Sequence, residues 1–258
     1  MAMRDPHVKT LFYRLEADKN TTYNNPPPIT YEAEDFSAEL KDERLKVALK
    51  RHFPTVEEAR YEIEKFLRAW EIDVALKRGP GEFQLKYENC EVIDRNPSPK
   101  GNSNTVAVSA HAKVSATIRA EIGVARGRYP EPPKYFRASP DVETLWQRFH
   151  GYQNGNEPLL SMAYFCLTVV ERLGGGRRQS ATLLRVSSDV LNRLGEITST
   201  RGDGFTARKV ARNTPLTPVS DAERAWVESA IKIIIRRVAE IEQRGSLPII
   251  DMDDLPTL

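Results

Sequence analysis

The residues of this 258-residue chain with chemistry to offer are four histidines, two cysteines and 38 lysines and arginines. His7, His52, His111 and His150 fall in four different segments, each more often a surface or structural position than a ligand. Cys90 and Cys166 are far apart and neither has a CxxC partner, which argues against both a structural zinc site and a disulfide framework. HExxH, GxSxG and the Walker-type GxxxxGKS/T are all missing, as is an HxE followed by CxxC. Zincin, deaminase, α/β-hydrolase and P-loop chemistry therefore lack their defining residues. No catalytic residue, metal or cofactor is expected on these grounds.

What the remaining residues could do is bind anions. Gly174-Gly175-Gly176 runs into Arg177-Arg178. Glycine amides beside arginines can hold a phosphate, and the alternative is a helix C-cap followed by a turn. Glu39-Leu40-Lys41 has the Glu-x-Lys spacing of a metal-nuclease strand. The upstream acids Glu32, Glu34 and Asp35 sit on the same short segment, however, and could not approach from another strand, so the wet face of a hairpin accounts for the tripeptide. Charge placement says more. The net charge is only +2, yet residues 172–212 carry nine cations against three acids, a local +6. Eight of the nine are arginine, whose planar fork suits phosphate better than an ammonium does. Phe205 is the one aromatic in that window, so contact with a phosphate backbone is expected there rather than base stacking. The candidate nucleic-acid or phosphate-binding residues are Arg177, Arg178, Arg185, Arg208, Lys209, Arg212 and Asn213.

The elements that must position these residues change character along the chain. Leu11, Tyr13 and Leu15 alternate with polar positions between Val8 and Glu16, a strand, and DKNTTYNNPPP after it reads as loop. Period 2 returns on both sides of Asp42-Glu43, which predicts a hairpin with one wet face. Thr55 with Glu58 is a capping box, and Val56, Ala59, Ile63, Phe66, Leu67, Trp70 and Val74 then recur every three or four residues, a helix over about 55–77. FQLKYENCEVIDR and TVAVSAHAKVSATIRA follow as strands. From Arg126 to Pro140 four prolines favour an extended connector. Beyond it the period is 3.6. Ser139-Pro140 opens a helix to about Gly151, PLLSMAYFCLTVVERL is apolar nearly all round, residues 178–198 show one apolar face, and Ser220 with Glu223 opens a last helix.

The fold class expected is therefore α+β. An N-terminal antiparallel sheet-plus-helix domain over 1–130 is followed by a Pro-rich linker at 131–138, an all-α bundle of about four helices over 139–245 and an acidic tail at 246–258. A helix apolar on every side needs cover on every side, and a second copy of the chain is the commonest cover, so a homodimer is expected. No apolar stretch is long enough for a bilayer, and MAMRDPHVKT has no signal-like apolar core, so the expected location is cytoplasmic.

Residues 191–240 resemble the C-terminal part of HEPN (higher eukaryotes and prokaryotes nucleotide-binding) domains, helical bundles found near prokaryotic defence genes. The resemblance rests on helix order and on Arg212-Asn213 in the connection before the last long helix, and covers a third to a half of the chain. In active members an Arg, a polar residue and a following His cut RNA across a homodimer. Here Thr214-Pro215-Leu216-Thr217-Pro218 follows instead, so no proton shuttle is present. The resemblance thus implies a non-catalytic protein that binds RNA or another phosphate-bearing ligand, in a prokaryotic defence setting. The alternatives are an assembly subunit that uses no nucleic acid and a degenerate HEPN-type ribonuclease.

Overall fold

The computed structural model describes residues 5–96, 108–109, 124–202 and 217–258. The chain divides into two compact units, Met1–Lys134 and Tyr135–Leu258. The first contains β1 (Pro6–Glu16), β2 (Thr21–Tyr23), β3 (Ile29–Glu32), β4 (Phe36–Lys41), β5 (Arg44–Leu49), α1 (Val56–Arg78), β6 (Gln84–Asp94), β7 (Val108–Ser109) and β8 (Val124–Arg126). Six of these strands form an antiparallel sheet in the order β3-β4-β5-β1-β6-β7. One face of it buries Leu11, Tyr13, Leu15, Leu40, Leu45, Val47 and Leu85 with Ala59, Ile63, Leu67, Trp70 and Val74 of α1 in a single core. Each large aliphatic or aromatic side chain withdrawn there contributes about 1.5–3 kcal/mol. Because successive side chains alternate across a sheet, Phe12, Arg14, Lys41, Arg44, Lys46 and Lys86 are committed to the opposite face.

Helix α1 starts where its cap requires, with Thr55 Oγ1 accepting the Glu58 amide at 3.3 Å. The hairpin β4–β5 closes through Asp42 and Glu43, both in the left-handed region at φ 48° and 58°. That is the two-residue turn whose twist matches its strands, normally filled by Asn-Gly. An L side chain at such a φ costs about 1 kcal/mol. Glu43→Gly is accordingly expected to raise stability by about that amount, read as a higher urea midpoint at unchanged m-value.

Two pieces of the first unit depart from the expected loop. Thr21–Tyr23 pairs in parallel with Val124–Arg126. The short strand is held from its flanks, since Tyr23 packs at a tilt against Tyr129 with ring centroids 5.1 Å apart and Arg126 forks onto buried Glu82 at 3.1 and 2.8 Å. Ile29–Glu32 forms the sheet edge, its Tyr31 stacked on Phe66 at 4.7 Å. Pro26-Pro27-Pro28 hides this strand in the sequence, but prolines just before an edge strand cost no ladder bond. Of TVAVSAHAKVSATIRA, only Val108–Ser109 lies within the described residues.

The start of β1 is tied to the end of β5 through a histidine pair. His7 Nδ1 accepts the Phe53 amide at 3.4 Å, the Val8 amide donates to Phe53 O at 2.9 Å, and His7 and His52 have ring centroids 5.4 Å apart. Burial, with His52 and Arg95 nearby, holds the His7 imidazole below the ordinary value of 6.5. The sign follows from linkage: below pH 6.5 the unfolded chain takes up a proton that the folded one resists, so stability falls as pH drops toward the folded value. Thermal melts between pH 7.5 and 5.5 should fall more steeply for the native chain than for His7→Gln. Equal slopes would show that the imidazole is not constrained in this way.

The second unit contains α2 (Pro140–Gln153), α3 (Leu159–Gly174), α4 (Arg177–Leu184), α5 (Ser188–Thr200) and α6 (Asp221–Ala239), then short 3-10 turns at Ile241–Ser246 and Met252–Asp254. Ser139 caps α2 with Pro140 at its first position, and Ser220 and Glu223 form the reciprocal box that opens α6. Helix α3 packs on α2, α4, α5 and α6. It is not apolar on every side, for Tyr164, Thr168 and Arg172 form an exposed stripe at spacings of four. The argument for a second copy as obligatory cover therefore loses its premise.

The single helix expected over 178–198 is two. Arg185 adopts φ 55°, Val186 forms a parallel bridge with Ile250, and Ser187 restarts the helix by accepting the Val190 amide on Oγ at 3.4 Å. The apolar periodicity runs through this break, which is why it is invisible in the sequence. The tail after 246 is correspondingly built in: the Ile250 amide donates to Arg185 O at 2.9 Å, Ser187 N–H donates to Ile250 O at 2.7 Å, and Leu255 is buried. The Pro-rich segment also carries anchors, for Tyr129 and Phe136 are both buried. Among the described residues no helix is long and apolar enough to cross a membrane.

Candidate phosphate-binding surface

The structure places three of the seven candidate residues, Arg177, Arg178 and Arg185. Arg208, Lys209, Arg212 and Asn213 lie outside the described residues. The triglycine resolves into a helix stop followed by a start. Gly175 takes the left-handed conformation at φ 79° as the C-cap of α3, and the Gly176 amide returns to Glu171 O at 2.7 Å. Arg177 Nε donates to Glu171 Oε1 at 2.7 Å while its guanidinium lies against α5, where a Cβ at position 195 would meet Nη1 at 2.8 Å. Arg185 Nε donates to Leu247 O at 3.2 Å. Arg178 is exposed on the first turn of α4.

Three acids from outside the window, Asp141, Glu171 and Glu223, offset half of the local excess of +6. Arg172 pairs with Asp141 at 2.8 Å and Arg177 with Glu171. Glu223, held by α6, takes Arg201 at 2.8 Å and Arg193 at 3.7 Å, and Arg193 also meets Glu196 at 2.8 Å. Partial burial pushes the Glu223 carboxyl up, but the Ser220 amide and Arg201 outweigh it and hold the group below the usual carboxylate range. It remains an anion fixed on two arginines.

A different concentration of charge lies on the uncovered face of the sheet. Lys41 on β4 is registered with Arg44 on β5, Arg44 with Arg14 on β1, and Arg14 with Lys86 on β6. Four cations thus stand side by side across four adjacent strands. Glu88 is hydrogen-bonded into the row, accepting Arg14 Nη2 at 2.9 Å and Arg44 Nε at 2.8 Å. Partial burial raises its carboxyl, and the two guanidinium hydrogen bonds overcome this and hold it below the usual carboxylate range. Toward the other end of the sheet the charges balance pair by pair, Lys9 with Glu91 at 3.4 Å and Lys50 with Glu32 at 2.8 Å. Beside the row runs a shallow groove of about 460 Å³ lined by Phe12, Arg14, Lys41, Arg44 and Lys46, with Glu39, Asp42 and Glu43 on its β4–β5 side. Glu39 of the Glu-x-Lys tripeptide is registered with Thr30 and Lys46, so no carboxylate partner approaches it from a neighbouring strand.

The sequence contained half of this row. Lys41 and Arg44 flank the turn and are legible from the hairpin pattern, whereas Arg14 and Lys86 join them only through pairings of β1 that no local pattern encodes. His150, considered as a contributor to a degenerate ribonuclease, is stacked on Trp146 with centroids 5.4 Å apart, its Nε2 3.2 Å from Asn154 Nδ2. Both cysteines are free and buried, and among the described residues no three His, Cys, Asp or Glu side chains converge as metal ligands. No protein-family model, curated protein or solved structure matches the chain.

Proposed function

We propose that this protein binds RNA, or another phosphate-bearing ligand of the same kind, without cleaving it. The observation that carries the reading is the row Lys41–Arg44–Arg14–Lys86. Like charges directly opposite each other on a sheet are destabilising, and among the described residues Glu88 is hydrogen-bonded to only two of the four cations, so the row costs stability that a bound polyanion would return. Arg178, with Arg208, Lys209, Arg212 and Asn213 of the HEPN-like segment, supplies a second set of contacts in this reading. An assembly role without nucleic acid is the competing reading, and it draws support from the ion pairs that occupy Arg172, Arg177, Arg193 and Arg201.

The two readings part on salt. RNA binding through phosphates should weaken steeply between 50 and 200 mM salt, with each lost contact flattening the slope by about 0.7 for a single strand. Lys41→Gln/Arg44→Gln/Lys86→Gln leaves Arg14 on Glu88 and should flatten the slope by about 2 while the circular dichroism stays native. Arg177→Ala/Arg178→Ala/Arg208→Ala measures the helical segment on the same scale. An RNA mobility shift that is absent at 50 mM salt, or indifferent to salt, would favour the assembly role.

A further inference from the structure

We infer that the RNA taken by the sheet face is single-stranded and crosses the strands, with its phosphates along Lys41, Arg44, Arg14 and Lys86 and a base laid on Phe12. The inference rests on the phosphate-binding reading above and adds to it the strandedness of the ligand and the residue that senses it.

Phe12 is the starting point. It stands one register row from the cations, facing Lys46 on one side and Asn89 on the other. Phe12 lies on the polar face of the sheet and is not among the side chains packed on the core that α1 covers. It is half-buried and lines the groove together with Arg14, Lys41, Arg44 and Lys46. Among aromatic side chains of the sheet, Tyr13 and Tyr87 turn the other way, their rings 5.8 Å apart and edge-on.

Dimensions then select the ligand. Strands lie about 4.8 Å apart, so four registered cations form a row of roughly 14 Å perpendicular to the strands. Two residues along a strand advance about 7 Å, which places Phe12 at the distance from the row that a base stands from its own phosphate. A duplex offers phosphates to such a row but keeps its base faces stacked on one another, so Phe12 would gain nothing from it. A single strand offers both, and base stacking on an aromatic ring is tolerant of sequence because every base has a π-face. Glu39, Asp42 and Glu43 confine the phosphates to the row by repelling them from the turn side of the groove.

The test uses the full chain with fluorescein-labelled octauridine and a short RNA duplex at low salt. Phe12→Leu keeps an apolar side chain and is expected to weaken octauridine binding by about tenfold, the effect of one lost base stack, while leaving duplex binding and the salt slope unchanged. Phe12→Trp should retain affinity, and octauridine should quench the added indole. Octauridine binding by Phe12→Leu equal to the native protein, or duplex binding as tight as single-strand binding, would overturn the single-strand assignment and leave phosphate binding standing. Octauridine binding unaffected by Lys41→Gln/Arg44→Gln/Lys86→Gln, or no RNA binding by the native chain, would overturn the cation row itself.

Discussion

Leu167→Glu is expected to unfold the helical unit, whereas Tyr164→Glu, three residues away on the same helix, is expected to leave it folded. Leu167 is 1% exposed on α3, which packs on α2, α4, α5 and α6. A carboxylate held there must either ionise in an apolar surround or fold protonated, at a cost of several kcal/mol. That is comparable with the whole stability of a domain of this size. Tyr164 is 38% exposed on the polar stripe with Thr168 and Arg172, where a glutamate can reach water. Urea titration of both variants in the full chain, followed by circular dichroism, decides the matter. Similar losses from both would mean that α3 has no solvent-facing stripe.

Gly174→Ala is the second large effect, expected to cost about 3 kcal/mol. A Cβ at 174 would lie 2.5 Å from both Cα and the amide nitrogen of Ser180, backbone atoms that cannot rotate out of the way. The same serine places Oγ 2.8 Å from Val170 O and 2.7 Å from Gly176 O, so pushing α4 away from α3 also breaks the bonds that join them. Gly175→Ala is the matched control. It meets nothing within 4 Å but must hold φ 79°, and its cost should be about 1 kcal/mol. If the two substitutions cost the same, the packing of α3 on α4 is not the reason for glycine at 174.

These glycines illustrate what the sequence does and does not disclose. Triglycine before two arginines is as compatible with a phosphate loop as with a helix junction, because the distinction lies in what Gly174 touches, six residues ahead in space. Strands β1, β4, β5 and β6 and helices α1, α2, α3 and α6 were legible because each carries its own period, and α1, α2 and α6 also carry a side-chain cap. Thr21–Tyr23 and the break at Arg185-Val186 were not, since each is created by a partner distant in the chain, Val124–Arg126 and Ile250, and Ile29–Glu32 was masked by the three prolines before it. The charge window is incomplete for a related reason. Counting within 172–212 gathered the arginines but left out Asp141, Glu171 and Glu223, the acids that hold them. Conversely, the four cations of the sheet row are spread from Arg14 to Lys86 and become one feature only through strand order.

The central place of β1 also sets a timetable. It is made before the other strands of its sheet, yet it ends up enclosed between β5 and β6. Its pairing with the hairpin can begin once Leu49 has emerged, but its other edge keeps unpaired amides and carbonyls until the chain has been extended through Asp94. At roughly 5–20 residues per second this leaves a few seconds of vectorial synthesis in which a nascent apolar sheet is open along its middle. The segment made during that interval is α1, a local structure that forms in about a microsecond and brings Ile63, Leu67 and Trp70 to the exposed face. The order of strand, hairpin, helix, strand thus delivers the cover of the apolar face before the last edge partner.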